Sequence, residues 1–535
     1  MKNDISIPVK RVDAAAKSAG DAKYLSDLEF PGLLYAKVLR SERARARITK
    51  ITVPALPEGY YYIDRSDIPQ GGVNKILMIK DDWPVFADGQ VRYIGEAIAL
   101  VVGPDRQKVL EILDDIKVDY EEQEPVYSIE EGLALKGGPI FGEENLYGDF
   151  QIRKGDPDGA FTQAAQVVEE EISSGFQEHI YMEPQGVVGT LEEGKITFYA
   201  SSQCPFYIRK AVANCLGVPL EEIRVKQTIT GGGFGGKEHF PDVMATPVAV
   251  AVKKIGKPIQ LVLDRIEDIS YTPKRHPSKA RFKTALDGDG NIIAMDIDVL
   301  IDAGAYESCS LVVLQRAIFS SNSVYDIPNV KIRGRAVATN NVPSDAYRGF
   351  GAPQGLFAIE MHMSHLADKL GQRADQFKNH YFIKTGSVTV TNGTIKEEVK
   401  LPEMLEKIKQ SSDFDRKLSG YKKGGGRGIG ISKPTATTRA LSSRPTETRM
   451  TSFRLPPRSS PISPPSPEAR PPRDSTSRAT QTTTSITASS TCRRRTASPV
   501  TTTRKVRRSI TTGRSSWAEL PARTPTTPTS RRRKT

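Results

Sequence analysis

At 535 residues the chain is too long for one hydrophobic core, which predicts two to four domains. Its formal charge of +13 would suggest a nucleic-acid or membrane partner, yet the charge is uneven: from Pro434 on, 102 residues hold 21 Lys+Arg against 4 Asp+Glu, leaving 55 basic and 59 acidic residues in a mildly acidic body. Four scattered cysteines without a C-x-x-C pair exclude a zinc site, an iron–sulfur cluster and a disulfide framework. With no apolar leader and no run of 18 apolar residues, a soluble cytoplasmic protein without membrane spans is expected.

Residues 1–130 alternate short β-like runs, "LLYAKVLRS", "EAIALVVG" and "IKVDYEE", with the helical stretch "DRQKVLEILDDI". Residues 131–156 are expected to link this part to the next, and "GEENLYGDFQIRKGDPDGAF" has the turn signals of a surface connection. From 157 a larger α/β region begins. Strands are predicted at "KITFYASS", "IRVKQTIT", "PIQLVLD" and "IIAMDIDVLID", and helices at "PFYIRKAVANCLG", "PDVMATPVAVAVKKIG" and "APQGLFAIEMHMSHLADKLG". "ALDGDGNIIAMDIDV" reads as a hairpin whose turn takes positive φ at Gly288 and Gly290; a calcium loop is excluded because the twelfth-position ligand is missing.

"TITGGGFGGKEHF", residues 228–240, lies between a predicted strand and a predicted helix. Gly231, Gly233 and Gly236 satisfy the dinucleotide fingerprint G-x-G-x-x-G, but Gly256 falls where the acidic ribose ligand belongs. Gly231 to Lys237 also opens a Walker A loop, but Glu238 stands where a hydroxyl should reach magnesium, and a carboxylate there repels phosphate. Each template lacks the residue that defines its chemistry.

A third reading takes in the neighbouring residues. "GGGFGGKE" after Gln203, together with "DAYRGFGAPQG" at 345–355, resembles the molybdenum-binding subunit of the xanthine dehydrogenase/aldehyde oxidase family. "RVDAAAKSAGDAKYLSDLEFPGLLYAKVLRSERARARI", "VRYIGEAIALVV", "QEHIYMEPQG" and "LDRIEDISYTPKRHP" resemble further family segments, so the likeness runs unbroken over about 1–433. It implies an α+β and α/β architecture: a small N-terminal α/β hammerhead domain, then the first part of a large molybdopterin-binding domain at 157–433. It also implies a molybdopterin cofactor, in the cytosine dinucleotide form, whose molybdenum is held through the pterin dithiolene with no direct protein ligand.

By the same resemblance, Gln203 hydrogen-bonds the metal's apical oxo group, and Gly233, Phe234 and Gly235 bring backbone to the metal centre. Gln203 could instead cap the helix that follows it. Arg348 falls near the cofactor, and Tyr347 and Phe350 are the aromatic walls for a flat heterocycle. Glu238 matches a position where purine-hydroxylating members carry glutamate, and Arg316 one where they carry arginine. An acid and a base facing a ring from opposite sides suit a reaction that builds negative charge on it. The family reaction is hydroxylation of an electron-poor carbon assisted by a glutamate base, with electrons leaving through iron–sulfur clusters to FAD. This chain encodes neither group, so iron–sulfur and FAD partner subunits are implied.

After "GGGRGIGIS" the resemblance stops. Residues 434–535 contain 41 Ser or Thr and 14 Pro but a single glycine, Gly513, a composition expected to stay disordered. Two origins stay open: a real Arg-rich tail, or a reading frame that slipped near residue 433. The catalytic base, in a late "G-E" motif of the family, has no counterpart there. A truncated, impaired purine hydroxylase is therefore the expectation, with an aldehyde or other N-heterocycle hydroxylase the alternative within the family and a degenerate non-enzymatic fragment with a nucleic-acid-binding tail the alternative from another class.

Overall fold

The strand Ala97–Gly103 ("AIALVVG") is an apolar run without alternation, the mark of a strand covered on both faces. The computed structural model, which describes residues 8–420, shows why. This strand lies inside a seven-stranded sheet ordered 223–227, 195–200, 186–192, 259–262, 34–40, 97–103, 61–63. Leu100 and Val102 pack on one side among helices Pro205–Leu216 and Phe240–Ile255, whereas Ile98 and Val101 face the other side with Val109 and Ile112 of helix Arg106–Asp115.

That sheet joins the two halves of the body. Strand Leu34–Arg40, from the N-terminal part, pairs in parallel with Ile259–Val262, from the part expected to be separate. Residues 8–130 and 157–420 therefore share a sheet and a core. The segment read as a surface connection is also structured: Leu146–Lys154 is a nine-residue edge strand paired antiparallel with Asn329–Ala338. Its turn residues belong to its flanks, where Gly155 has φ +66 and Asp156 caps the helix Pro157–Thr162.

A second sheet holds five strands ordered 146–154, 329–338, 292–304, 278–286, 166–174. The expected hairpin joins Ser278–Leu286 to Ile292–Gly304. Only Gly290 takes positive φ in its turn, because the Asp287 carboxylate accepts the backbone N–H groups of Asp289 and Asn291 and so closes the bend without Gly288.

Helices Ser310–Ser320 and Ala352–Lys369 pack against the second sheet and against each other. Their approach is set by two glycines four residues apart. A Cβ on Gly351 would stand 2.1 Å from the carbonyl oxygen of Val313, and one on Gly355 would stand 2.4 Å from that of Ala317. Residues spaced by four on both helices thus interlock with no side chain between them. Residues 424–432, where the resemblance ends, and the segment 434–535 lie outside the described residues.

Gly355 lies inside a helix, so alanine there would gain up to about 1 kcal/mol of helix propensity in open space. The close approach of the Ala317 carbonyl reverses the sign: Gly355→Ala should destabilise by about 1–3 kcal/mol, the range for overpacking. Urea denaturation checks this, and a stabilised variant would show that the helices do not touch.

Candidate active site

Strand Ile223–Gln227 ends at one edge of the seven-stranded sheet, and helix Phe240–Ile255 starts beneath that sheet. The glycine loop spans the interval. Gln203, just before helix Pro205–Leu216, holds it: its N–H donates to the Lys237 carbonyl at 2.7 Å, and its Oε1 accepts the N–H of Gly235 at 2.9 Å and that of Lys237 at 3.4 Å. A Cβ on Gly233 would lie 2.5 Å from that same Oε1, so glycine is what admits the glutamine. Gln203 does not cap its helix, whose N-cap residue is Cys204 and which has no side-chain cap bond. With Oε1 taken by the loop, the Nε2 amide is the end of Gln203 left for a ligand.

The loop meets 345–351 backbone to backbone. A Cβ on Gly235 would stand 2.7 Å from the Ala346 carbonyl oxygen, and the Arg348 N–H donates to the Phe234 carbonyl at 2.8 Å. Between them opens a broad cavity of about 570 Å³. Gln203, Phe234, Gly235, Glu238, Arg316, Tyr347, Arg348 and Phe350 all line it, so eight of the nine residues singled out from sequence converge there. Gly233 is the ninth; it is buried behind Gln203. Phe234 and Phe350 both sit at positive φ, +50 and +48, a strained backbone for an aromatic residue and one that clusters at functional sites.

Tyr347 differs from the expectation of a free aromatic wall. The Arg275 guanidinium lies 3.9 Å from its ring centre, the His179 ring lies at 4.4 Å, and its hydroxyl donates to the Glu178 carbonyl. His179 Nε2 also donates to the Ala346 carbonyl at 2.9 Å, and Arg275 donates to the Arg348 carbonyl at 2.9 Å. Phe350 has no ring partner of this kind among the described residues and offers the better stacking surface.

Glu238 is half-buried. Burial, and then the charge of Asp345, push its carboxyl above the ordinary range, against the pull of His239. Lys237, next to it, is fully buried and points away from the cavity. Its ammonium lies 2.9 Å from both Glu183 Oε2 and Ser201 Oγ. That Glu183 oxygen also accepts the Ser201 hydroxyl and the Gly231 N–H. Burial alone would raise the Glu183 carboxyl, but these donors together hold it below the usual range. The lysine that resembled a phosphate hook is thus a strut under the loop.

His179, Glu183, Arg275, His239 and Asp345 were not singled out from sequence. "QEHIYMEPQG" and "PKRHP" carried the resemblance, but nothing in those strings tells which side chains reach a loop 50 to 170 residues away. Among the described residues no group of three or more His, Cys, Asp and Glu side chains could hold a metal ion. No described helix is long and apolar enough to cross a membrane.

Residues 141–382 match the molybdopterin cofactor-binding domain, and residues 19–124 match the a/b hammerhead domain of aldehyde oxidase and xanthine dehydrogenase. The chain belongs to this family of molybdenum hydroxylases. It is 34% identical over 417 residues to the nicotinate dehydrogenase large molybdopterin subunit of Eubacterium barkeri, covering 77% of this chain and 96% of that one. It is 34% identical over 416 residues to xanthine dehydrogenase of Blastobotrys adeninivorans, covering 76% of this chain but 29% of the much longer relative. Among solved structures, the aldehyde oxidoreductase of Desulfovibrio desulfuricans superposes with a TM-score of 0.70 at 28% identity, covering 77% of this chain and 47% of that one.

Removing the Glu183 charge leaves Lys237 buried and unpaired. Glu183→Gln should cost about 3–5 kcal/mol, the range for breaking a buried ion pair, and adding Lys237→Met should recover part of the loss. Equilibrium denaturation of the two single variants and the double variant measures the coupling; strictly additive losses would refute the strut.

Proposed function

We propose that this chain holds a molybdopterin cofactor in the cavity between the glycine loop and the 345–351 loop, and serves the hydroxylation of an electron-poor N-heterocycle, in the first place a purine. The observation that carries this reading is the convergence of Gln203, Phe234, Gly235, Glu238, Arg316 and Phe350 on one cavity from four separate stretches of chain. The residues fit the group. Gln203 would hold the cofactor through its Nε2 amide, and the Phe234–Gly235 backbone reaches the cavity without a Cβ at Gly235 to keep it away. When bound, the cofactor supplies the oxygen that enters the ring and takes up the electron pair.

The chain's own residues bind and orient. Phe350 stacks on the flat ring, and Tyr347, braced by Arg275 and His179, holds the loop behind it. Arg316 stabilises negative charge that develops on the ring under attack, in a setting where fixed charges act more strongly than in water. Glu238, its carboxyl pushed above the ordinary range by burial and Asp345, hydrogen-bonds a ring nitrogen or oxo group.

Glu238 is the one carboxylate among the described residues lining the cavity, and it is placed for recognition. We assign the base and the facing wall to polypeptide outside residues 8–420, with a second molybdopterin-binding subunit as the favoured source. The match to 96% of a relative that is itself named a subunit supports this. Iron–sulfur and FAD subunits would take the electrons on. The same match favours a second substrate reading, a pyridine carboxylate held by Arg316.

The assembled enzyme should contain close to one molybdenum and one pterin per chain, measured by metal and cofactor analysis, and should turn over xanthine or hypoxanthine. A preparation with its partners but without molybdenum would sink the cofactor reading, and turnover of nicotinate alone would favour the second substrate. Arg316→Met and Glu238→Gln should each lower kcat/KM by roughly 10²–10³-fold, the usual loss of one charge-stabilising group, with molybdenum content unchanged.

A further inference from the structure

Directly beneath Glu238 lies a buried charge cluster that the proposed chemistry does not use. His239 follows Glu238 and opens helix Phe240–Ile255, with 1% of its surface exposed. Its Nε2 stands 3.3 Å from Oδ2 of Asp242, one turn along the helix. Its Nδ1 stands 2.8 Å from Oγ of Ser308 and 3.3 Å from Oδ2 of Asp345. The ring meets Trp83 of the N-terminal part edge-on, with centroids 5.9 Å apart.

These contacts join the segments that make the substrate wall. Ser308 precedes the helix of Arg316, Asp345 precedes Tyr347 and Phe350, and His239 is bonded to Glu238 itself. Ser308 has φ +49, a conformation that this contact helps to hold. The titratable groups facing the imidazole are Glu238 and Asp242 on its own segment, Glu307 and Cys309 beside Ser308, Asp345, and Asp82 beside Trp83. Neither carboxylate oxygen of Asp242 has an aligned hydrogen-bond donor, although the side chain is fully buried. A buried carboxylate without donors needs a compensating charge, and the imidazole is the group placed between Asp242 and Asp345 to supply it.

We propose that His239 is the positioning residue of the substrate wall: held as an imidazolium between Asp242 and Asp345, it locks the glycine loop to the 345–351 loop and so sets the spacing of Glu238, Arg316 and Phe350. This rests on the proposed function only for the name of the wall. Burial alone would lower the histidine, but Asp242, followed by Asp345 and Glu307, overrules it and pushes His239 up to about 9. Burial pushes Asp242 up to about 7 against the pull of His239, so its charge is full only above that pH, whereas at Asp345 His239 with the Cys309 thiol more than offsets burial and the carboxyl stays low. A histidine raised above its unfolded value contributes stability that is complete below about pH 6.5 and is lost as the pH rises through about 9.

The test uses the full chain labelled with 15N-histidine, with His239 assigned by its loss in His239→Gln. At pH 7.5 the ring should show imidazolium nitrogens, its titration midpoint should lie well above 6.5, and Asp345→Asn should lower that midpoint by at least one unit. Hydrogen exchange of peptides covering 228–239 and 344–351, corrected for the intrinsic pH dependence, should accelerate at least tenfold between pH 7 and 10. In His239→Gln both peptides should exchange fast already at pH 7 and lose that excess pH dependence. A neutral His239 at pH 7.5, or loops that His239→Gln leaves unchanged, would overturn the proposal; if that variant does not fold, Asp345→Asn supplies the same readings, with the midpoint and both loops as criteria. Neither measurement needs molybdenum, substrate or partner subunits, so this proposal can fail while the hydroxylase reading stands.

Discussion

The cavity depends on one backbone contact, the approach of Gly235 to Ala346 and Tyr347. With φ +102 and a neighbouring carbonyl where a Cβ would lie, the position excludes every side chain. The contact fuses a loop from the seven-stranded sheet to a loop that leads into helix Ala352–Lys369 on the five-stranded sheet. It brings with it the strained backbones of Phe234 and Phe350 and the Arg348–Phe234 hydrogen bond. Pull these loops apart and Glu238 no longer faces Phe350.

A loop made of glycines has few side chains with which to anchor itself. Anchoring passes to its neighbours, and here it is ionic and buried. Under one flank, Glu183 gathers Lys237, Ser201 and the Gly231 amide; under the other, His239 stands between two aspartates. Gln203 joins the middle through its own N–H and its side-chain carbonyl. Buried charge of this kind is weak evidence for stability but is well suited to register, because the groups are satisfied together only in this arrangement. That the loop keeps its shape while lined by an open cavity follows from these struts.

The N-terminal part is more than an attached module. It contributes three strands to the seven-stranded sheet, and through Trp83 it reaches the floor of the site, where that ring also stacks on Tyr306 at 5.5 Å. Tyr306 in turn bonds the buried Glu96. Contacts running from Glu96, just before strand Ala97–Gly103, through Tyr306 and Trp83 to His239 tie the floor of the cavity to the N-terminal part.

Local chemistry was legible in the chain itself. The glycine spacing, the missing hydroxyl at Glu238, the apolar periods of the three long helices and the even charge of the body all follow from residue type and order, because turns, helices and solvation act over a few positions. The family was legible too, since its motifs are short and contiguous. Partnership across distance was not. The edge strand Leu146–Lys154 looked like a connection because its alternating polar residues find their sheet neighbour almost 200 positions later. Nor does any spacing show that the two domains share a sheet, in which Leu34–Arg40 pairs with Ile259–Val262. Lys237 turned inward to Glu183, and Tyr347 was taken up by Arg275 and His179. Which side chains face the cavity and which hold it open was decided by tertiary structure, because burial and ion pairing depend on what the fold brings within about 4 Å, and no spacing along the chain encodes that.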